Sequence, residues 1–443
     1  MFKKVLPLSS ILFLRFLGLF LVLPTLSIFA LKLEGATPFL VGIIVGGYAL
    51  TQAIFQVPFG SLSDKIGRKP TILFGLVIFL IGSLICAYAD NIYVLMLGRF
   101  MQGAGAIGSV VTAMIADLVE EKTRGHAMAI MGGFIAMSFA FAMALGPVIA
   151  SHYGMSVIFV ITAVLAVLSI IILFAKVPTP PKIKHIYHQN TKTSDILKDS
   201  NLLGMIIINA MQKGLMTAAF VIIPIFLTQE KYGFNWATSD LWMVYVPAMV
   251  AGLVAMGPAA VFGEKKNIPK QIFMTSIVLF IASFVLMGTT HSSSIFVMAV
   301  VFFFVAFNMM EPLVQSMISK FAKVHQKGAA LGIANSVAYF ATFLGGTFAG
   351  LYLDASSRET LGLTIGAIGV VWLIWTALKM KNPLRYSHLV IPEDDVDFDK
   401  LKALEHEHIA EWFINETEKV VVLKYASEKL EEDSLKAKII KVN

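Results

Sequence analysis

The sequence predicts an all-α polytopic membrane protein of twelve spans in two six-helix halves (6+6), followed by a small α+β domain at its C-terminal end. Three observations carry this. Of 443 residues, 57% are hydrophobic and only 14% charged, whereas soluble domains carry about 25% charged residues. The apolar residues gather into runs of the roughly 20 that a helix needs to cross a bilayer. After Pro383 the composition turns to that of a soluble chain. The net charge of +7 is spread over short loops, which excludes a nucleic-acid footprint. Cys86, alone in an apolar run, excludes a disulfide framework or a thiolate metal cluster.

The first run, Leu6–Leu31, follows a basic start, as the apolar segment of a signal peptide would. It is longer than such a segment and lacks a small-residue cleavage site, so it reads as a retained span. Spans two to six follow at Phe39–Ser61, Pro70–Ala89, Ile92–Leu118, Gly125–Ala150 and Ser156–Ala175. Spans seven to twelve follow at Leu202–Leu227, Ser239–Phe262, Gln271–Gly288, Ser294–Ile318, Gly328–Leu351 and Thr360–Leu378.

Alternate loops hold Lys65, Arg68 and Lys69; Lys122 and Arg124; Lys265, Lys266 and Lys270; Lys320, Lys323 and Lys327. The loops between them hold only Lys32, Lys231 and Arg358. The positive-inside rule therefore places the first set, and both termini, in the cytoplasm. Lys176–Ser200, with Pro178, Pro180 and Pro181, is the longest polar break between spans and reads as a cytoplasmic linker. His185 and His188 within it are close enough in sequence to share a metal, but a solvated linker is the better reading, and no metal site is expected. The predicted organisation is a six-helix bundle over 1–176, a linker over 177–200, a second bundle over 201–380 and a cytoplasmic domain over 387–443. Arg124-Gly125-His126-Ala127 opens span five and Lys327-Gly328-Ala329-Ala330 opens span eleven, an internal repeat expected of parallel halves.

Between spans two and three stands Gly60-Ser61-Leu62-Ser63-Asp64-Lys65-Ile66-Gly67-Arg68-Lys69-Pro70. Gly60 lets two helices approach, and Gly67 permits a turn that a side chain would hinder. Asp64 is placed to favour a helix N-terminus. Arg68 is left to reach another carboxylate, and Asp117, at the end of span four, is the candidate. A charge at that depth is costly unless paired; the alternative is a wetted helix end. The loop resembles the signature of the major facilitator superfamily, Gly-x-Leu-x-Asp-Arg-x-Gly-Arg-Arg/Lys, with Lys65 in place of Arg. The resemblance implies the major facilitator fold, a 12-helix bundle with 6+6 pseudo-two-fold symmetry. It also implies a gating relay of Asp64, Arg68 and Asp117 that latches the first half to span eleven in the outward-open state.

Leu95, Arg99, Gln102, Gly103 and Gly105 on span four are similar to that superfamily's second motif, whose arginine is implied in proton transfer. Ala142 to Ser151 resembles its antiporter motif. Gly146-Pro147 is kept for close packing and a kink, while Ala142, Ala150 and Ser151 replace three of the four glycines. The chain is further similar to the YajR-type, drug-efflux-like branch, which carries a C-terminal ferredoxin-like domain. Leu14–Pro24, Leu50–Gly60 and Ala306–Glu311, with Ser316, Ser319 and Lys320 following, carry this likeness.

Four ionisable residues lie well within spans: Arg15, Arg99, Lys213 and Glu311 on spans one, four, seven and ten. Lipid exposure of a charge at mid-depth costs roughly 2.5–3.5 kcal/mol even on lenient scales, so each is expected to face a central cavity or a partner. For Arg99, the nearest to a span end, snorkelling is the alternative. Glu311 is the only deep carboxylate and the first candidate for proton coupling, with Arg99. The structural alternative is a fixed ion pair with Lys213 that ties spans seven and ten. Tyr48, Gln52 and Gln56 fall four apart on one helix face. Together with Asn209, Gln212, Lys213 and Asn308 they are candidate substrate contacts in an otherwise apolar pocket. Three cations against one acid bias that pocket positive.

In the tail, Leu389–Ile391 reads as a strand, Asp399–Ile414 as an amphipathic helix, and Lys419–Tyr425 as a strand. Glu428–Leu435 reads as a helix and Ile439–Val442 as a last strand, in a ferredoxin-like order. So short a domain is marginal alone, which predicts docking or dimerisation through it in an otherwise monomeric protein. The Glu405-His406-Glu407-His408 cluster reads as a solvated face.

Together these readings predict a multi-pass protein of the inner (cytoplasmic) membrane that is not an enzyme. It would export a small, mostly apolar molecule in exchange for protons by alternating access, with no cofactor beyond the coupling ion. No G-x-x-x-x-G-K-[ST] loop is present to bind nucleotide phosphates. Proton-coupled uptake of a nutrient or organic anion is the alternative. A transporter-like sensor signalling through the cytoplasmic domain is the alternative of another class.

Overall fold

The computed structural model describes residues 2–440 except 120, 179–192, 233, 323–325, 381, 383–385, 404–408, 416–418, 427–429 and 431. The linker with His185 and His188, the Glu405–His408 cluster and residues 441–443 lie outside the described residues. Twelve helices among the described residues are long and apolar enough to span a bilayer. They are Phe2–Leu21, Pro38–Ile66, Arg68–Ala87, Ile92–Leu118, Glu121–Tyr153 and Met155–Ala175, then Ser200–Thr228, Trp242–Lys265, Pro269–Thr289, Ser293–Phe321, Lys327–Ala355 and Arg358–Lys379.

Two spans are interrupted. Span one ends at Leu21, before Pro24, and a short helix Leu26–Ala30 follows where the sequence suggested one continuous run. Span four breaks between Ile92–Ala104 and Gly108–Leu118. Between spans two and three the chain turns on Gly67 with φ 100°, a conformation that side chains disfavour, so span three begins directly at Arg68.

The packing repeats after six spans. Span one lies along five, two along four, and three along four and six; likewise seven lies along eleven, eight along ten, and nine along ten and twelve. The halves meet where two packs on eleven and five on eight. This is the two-fold pattern expected of parallel six-helix repeats.

The seam between spans two and eleven is closed at one end only. A methyl group on Gly42 would collide with the Gly346 carbonyl, and one on Gly350 with the Pro38 carbonyl. Gly60, Gly328 and Gly332 lie on the same faces of these helices, about five turns further along at 3.6 residues per turn. There an added methyl would meet nothing within 4 Å. Spans two and eleven therefore splay apart towards the end that carries Lys65 and Lys327.

The C-terminal domain has strands β1 (Tyr386–Pro392), β2 (Ile409–Asn415) and β3 (Val420–Ala426), with helices Phe398–Ala403 and Glu432–Ile439. The sheet order is β1-β3-β2, with β3 antiparallel to both neighbours. This split β-α-β arrangement is that of a ferredoxin-like module. Leu389, Ile391, Leu423 and Tyr425 pack with Leu401, Leu435 and Ile439 on one face of the sheet. Two expectations are corrected. Residues 409–414 form a strand, not the end of a helix: Ile409, Trp412 and Phe413 imitate a helical stripe, but the run pairs with β3. Ile439 ends a helix rather than starting a strand, and Ile440 makes a single bridge to Val396.

Candidate functional site

At the splayed end, the Gly67 turn aims Arg68 between two carboxylates. Arg68 Nη1 lies 2.7 Å from Asp64 Oδ1, and Nε lies 2.9 Å from Asp117 Oδ2. Nη1 also donates to Ser63 Oγ. The relay is formed wholly within the first half. Lys65 is exposed beside it and the Gly60 face is open, and among the described residues the relay makes no bond to span eleven. The described contacts of the relay, Asp64, Ser63 and Asp117, are all on spans two and four. The second half has its own version, which the sequence reading missed. Glu264, at the end of span eight, takes both the Lys320 ammonium and the Ser316 hydroxyl of span ten. Spans eight and ten repeat two and four, so the position of each residue was available from the repeat; the changed charge order hid the pair.

Nearer the middle, Lys213 Nζ of span seven lies 2.7 Å from Glu311 Oε2 and 2.8 Å from Oε1 of span ten. Gln212 Nε2 donates to the same carboxylate at 3.0 Å and to the Phe307 carbonyl. The lysine and glutamate side chains keep 23% and 36% of their surface accessible, so the pair is not sealed by the surrounding helices. Lys213 also sits over the Phe307 ring, 4.8 Å from its centre.

Of the two expected surroundings, cavity or partner, the arginines have partners. Arg15 and Arg99 are wholly buried, and Tyr339 of span eleven packs against the first-half core near Arg15, so that Arg15 lies towards the seam between the halves. Arg15 Nη2 donates to the Gly105 carbonyl at 2.9 Å, at the break in span four, and to Gln52 Oε1 at 3.4 Å. Its guanidinium lies over the rings of Phe16 and Phe79. Arg99 donates to Gln102 Oε1 at 2.7 Å and to the Ile44 carbonyl at 3.3 Å, and stacks over Tyr48. Gln102 in turn donates to Ser83 Oγ. Snorkelling by Arg99 is excluded on the same ground. The positive bias inferred from three cations is therefore corrected: of these four charges, the ones left partly accessible are one cation and one acid.

Gln52 and Tyr48 are buried and support Arg15 and Arg99, and Gln56 is buried beyond them rather than lining open space. Asn209 and Asn308 are likewise buried, donating to the Ala334 and Phe304 carbonyls. Gly146 packs directly on the Leu21 carbonyl, bringing span five against the end of span one, and the helix runs on through Pro147.

Aromatic rings cross the seam beyond the ion pair. Phe139 of span five lies 6.0 Å from Phe220 of span seven and 5.9 Å from Phe307 of span ten. Phe20 of span one closes on it edge-to-face at 5.2 Å. At the far end Arg358, 5% exposed, donates to the carbonyls of Tyr232 and Thr290 and ties two connecting loops to span twelve. Burial there raises the Tyr232 phenol above its ordinary pKa. Neither the aromatic plug nor the Arg358 tie was foreseen, because each depends on residues from separate spans.

The Major Facilitator Superfamily family model matches residues 8–346 and 258–422. The inner membrane transport protein YajR of Escherichia coli strain K12 is 35% identical over 430 residues, covering 95% of this chain and 93% of that protein. Multidrug resistance protein 1 of Bacillus subtilis strain 168 is 27% identical, covering 83% and 96%. The crystal structure of a D-xylose–proton symporter superposes with a TM-score of 0.68 at 15% identity, covering 85% of this chain and 98% of that one, a likeness of fold. The chain belongs to the major facilitator superfamily, and it is a multi-pass membrane transporter rather than an enzyme.

Proposed function

We propose that this chain is a proton-coupled antiporter that exports a small, mostly apolar molecule by alternating access. The Lys213–Glu311 pair carries the reading: a partly accessible acid–base contact deep in the spans, next to a cleft shut at one end only. A proton on Glu311 would release Lys213, whose ammonium rests on Phe307, and Phe307 leans on Phe139 across the seam. Loading the acid would in this way loosen the plug. The aromatic surroundings and a partly accessible site with balanced charge favour an apolar or neutral substrate over an organic anion. The relative named for multidrug resistance favours export over uptake. The basic loops favour a cytoplasmic position for the splayed end and an inner-membrane location, so this conformation would be inward-open.

Flux into proteoliposomes under imposed pH gradients tests the proposal. Outward-directed exchange should follow the gradient in the parent, and Glu311→Gln should remove that dependence. Gradient-driven flux that persists unchanged in Glu311→Gln would overturn the assignment.

A further inference from the structure

The C-terminal domain buries a lysine where its own core does not need one. On β3, Val421, Leu423 and Tyr425 alternate into the domain's core against its helices. Val422 and Lys424 point to the other face of the sheet, yet both are only 4% exposed. Lys424 is buried against the bundle: its Nζ donates to the Lys320 carbonyl at 2.9 Å and the Ala322 carbonyl at 3.0 Å, the last carbonyls of span ten. Helix C-termini leave their final carbonyls without intrahelical partners, and a cation there also complements the helix dipole.

Two other spans that end on this side obtain the same service from within the bundle. Lys4 of span one donates to the Leu118 carbonyl ending span four, and Lys270 of span nine donates to the Ala377 carbonyl near the end of span twelve. Span ten receives its lysine from the appended domain. It is also the helix that carries Glu311, and its end borders the splayed mouth of the cleft.

We propose that the docked domain is a clamp on span ten and that Lys424 is its positioning residue, holding the molecule in the conformation open at this end. Closing the mouth by bending the end of span ten towards the first half and away from the docked sheet would break both Lys424 contacts, and the clamp opposes that movement. The Asp64–Arg68–Asp117 relay, idle while the mouth is open, would act in the opposite sense when it closes. The inference rests on alternating access but on neither the substrate nor the proton assignment.

The test is a distance measurement. Spin labels are placed at Ile66→Cys and Ala329→Cys, across the mouth, in the full chain with Cys86→Ala. Lys424→Gln should move the population from the long separation towards the short one by about tenfold, the scale of losing charge-assisted hydrogen bonds. Lys424→Arg should largely restore the parent distribution, and Lys438→Gln, an exposed lysine of the same domain, should match the parent. Hydrogen exchange over β1–β3 reports whether the domain is folded. A variant whose sheet has lost protection has also lost the clamp, so the same shift is required of it. A Lys424→Gln distribution identical to the parent's overturns the proposal in either case. So does an equal shift in Lys438→Gln. Lost gradient dependence in Glu311→Gln beside an unmoved Lys424→Gln distribution would sink the clamp alone.

Discussion

Gly42 of span two and Gly346 of span eleven meet backbone to backbone, with no room between them for a single methyl group. The two halves are thereby shut at one end by surfaces that depend on having no side chains. Overpacking such a contact typically costs about 1–3 kcal/mol, enough to move a two-state balance by roughly one or two decades. Gly346→Val is expected to disfavour the conformation described here and to make residues near Pro38 reactive to impermeant thiol reagents when changed to cysteine. Unaltered reactivity would show that the glycine seam does not hold the far end.

Arg68 reaches Asp64 and Asp117 through different nitrogens of one planar group. A lysine can supply the charge but not that fork. Arg68→Lys should therefore reduce flux nearly as much as Arg68→Ala. Because the groups are partly solvated, thermal stability should fall by less than about 1 kcal/mol in either. A parent-like rate in Arg68→Lys would reduce the relay to a general electrostatic attraction.

Lys213 separates coupling from architecture. Lys213→Met leaves the Glu311 carboxylate with Gln212 alone and should lower stability by about 1–3 kcal/mol. Adding Glu311→Gln should recover most of that loss without recovering gradient-driven flux. If the double variant regains coupled transport, the pair ties spans seven and ten and no more.

Arg15 is expected to matter for stability rather than for pH response. Arg15→Met removes the donor to the Gly105 carbonyl at the break in span four and should cost about 1–3 kcal/mol. The pH profile of flux should keep its shape while the melting temperature falls. A displaced profile would return the arginine to the proton pathway.

Arg358→Gln breaks the tie among span twelve, Tyr232 and Thr290. Faster hydrogen exchange is expected in both connecting loops, with the Lys65 end unaffected. Exchange unchanged at Tyr232 and its neighbours would remove Arg358 from the far-end closure.

The spans and their pairing into halves were legible because each rests on local composition and on a repeat visible in the chain. The Asp64–Arg68–Asp117 contact was legible for a similar reason: the Gly67 turn fixes where Arg68 can go. The surroundings of Arg15 and Arg99 were not. A helix position says that a charge needs a partner, but not that the partner is a carbonyl freed by a break in another helix, as at Gly105. The strand at Ile409 was misread because apolar residues spaced three and four apart satisfy a helical template. Only pairing with Val420–Ala426 separates the two. Phe139 gave no signal at all among 34 phenylalanines.

The lysines on the last carbonyls of spans four and twelve have a practical consequence. Basic residues at this end are usually treated as signals read once, during insertion, and then left free in water. Lys4 and Lys270 stay in use as part of the finished helices. Moving such charges to the opposite loops in order to invert the protein would fray the helices whose ends they close. A failed inversion would then report damaged spans rather than a stubborn topology.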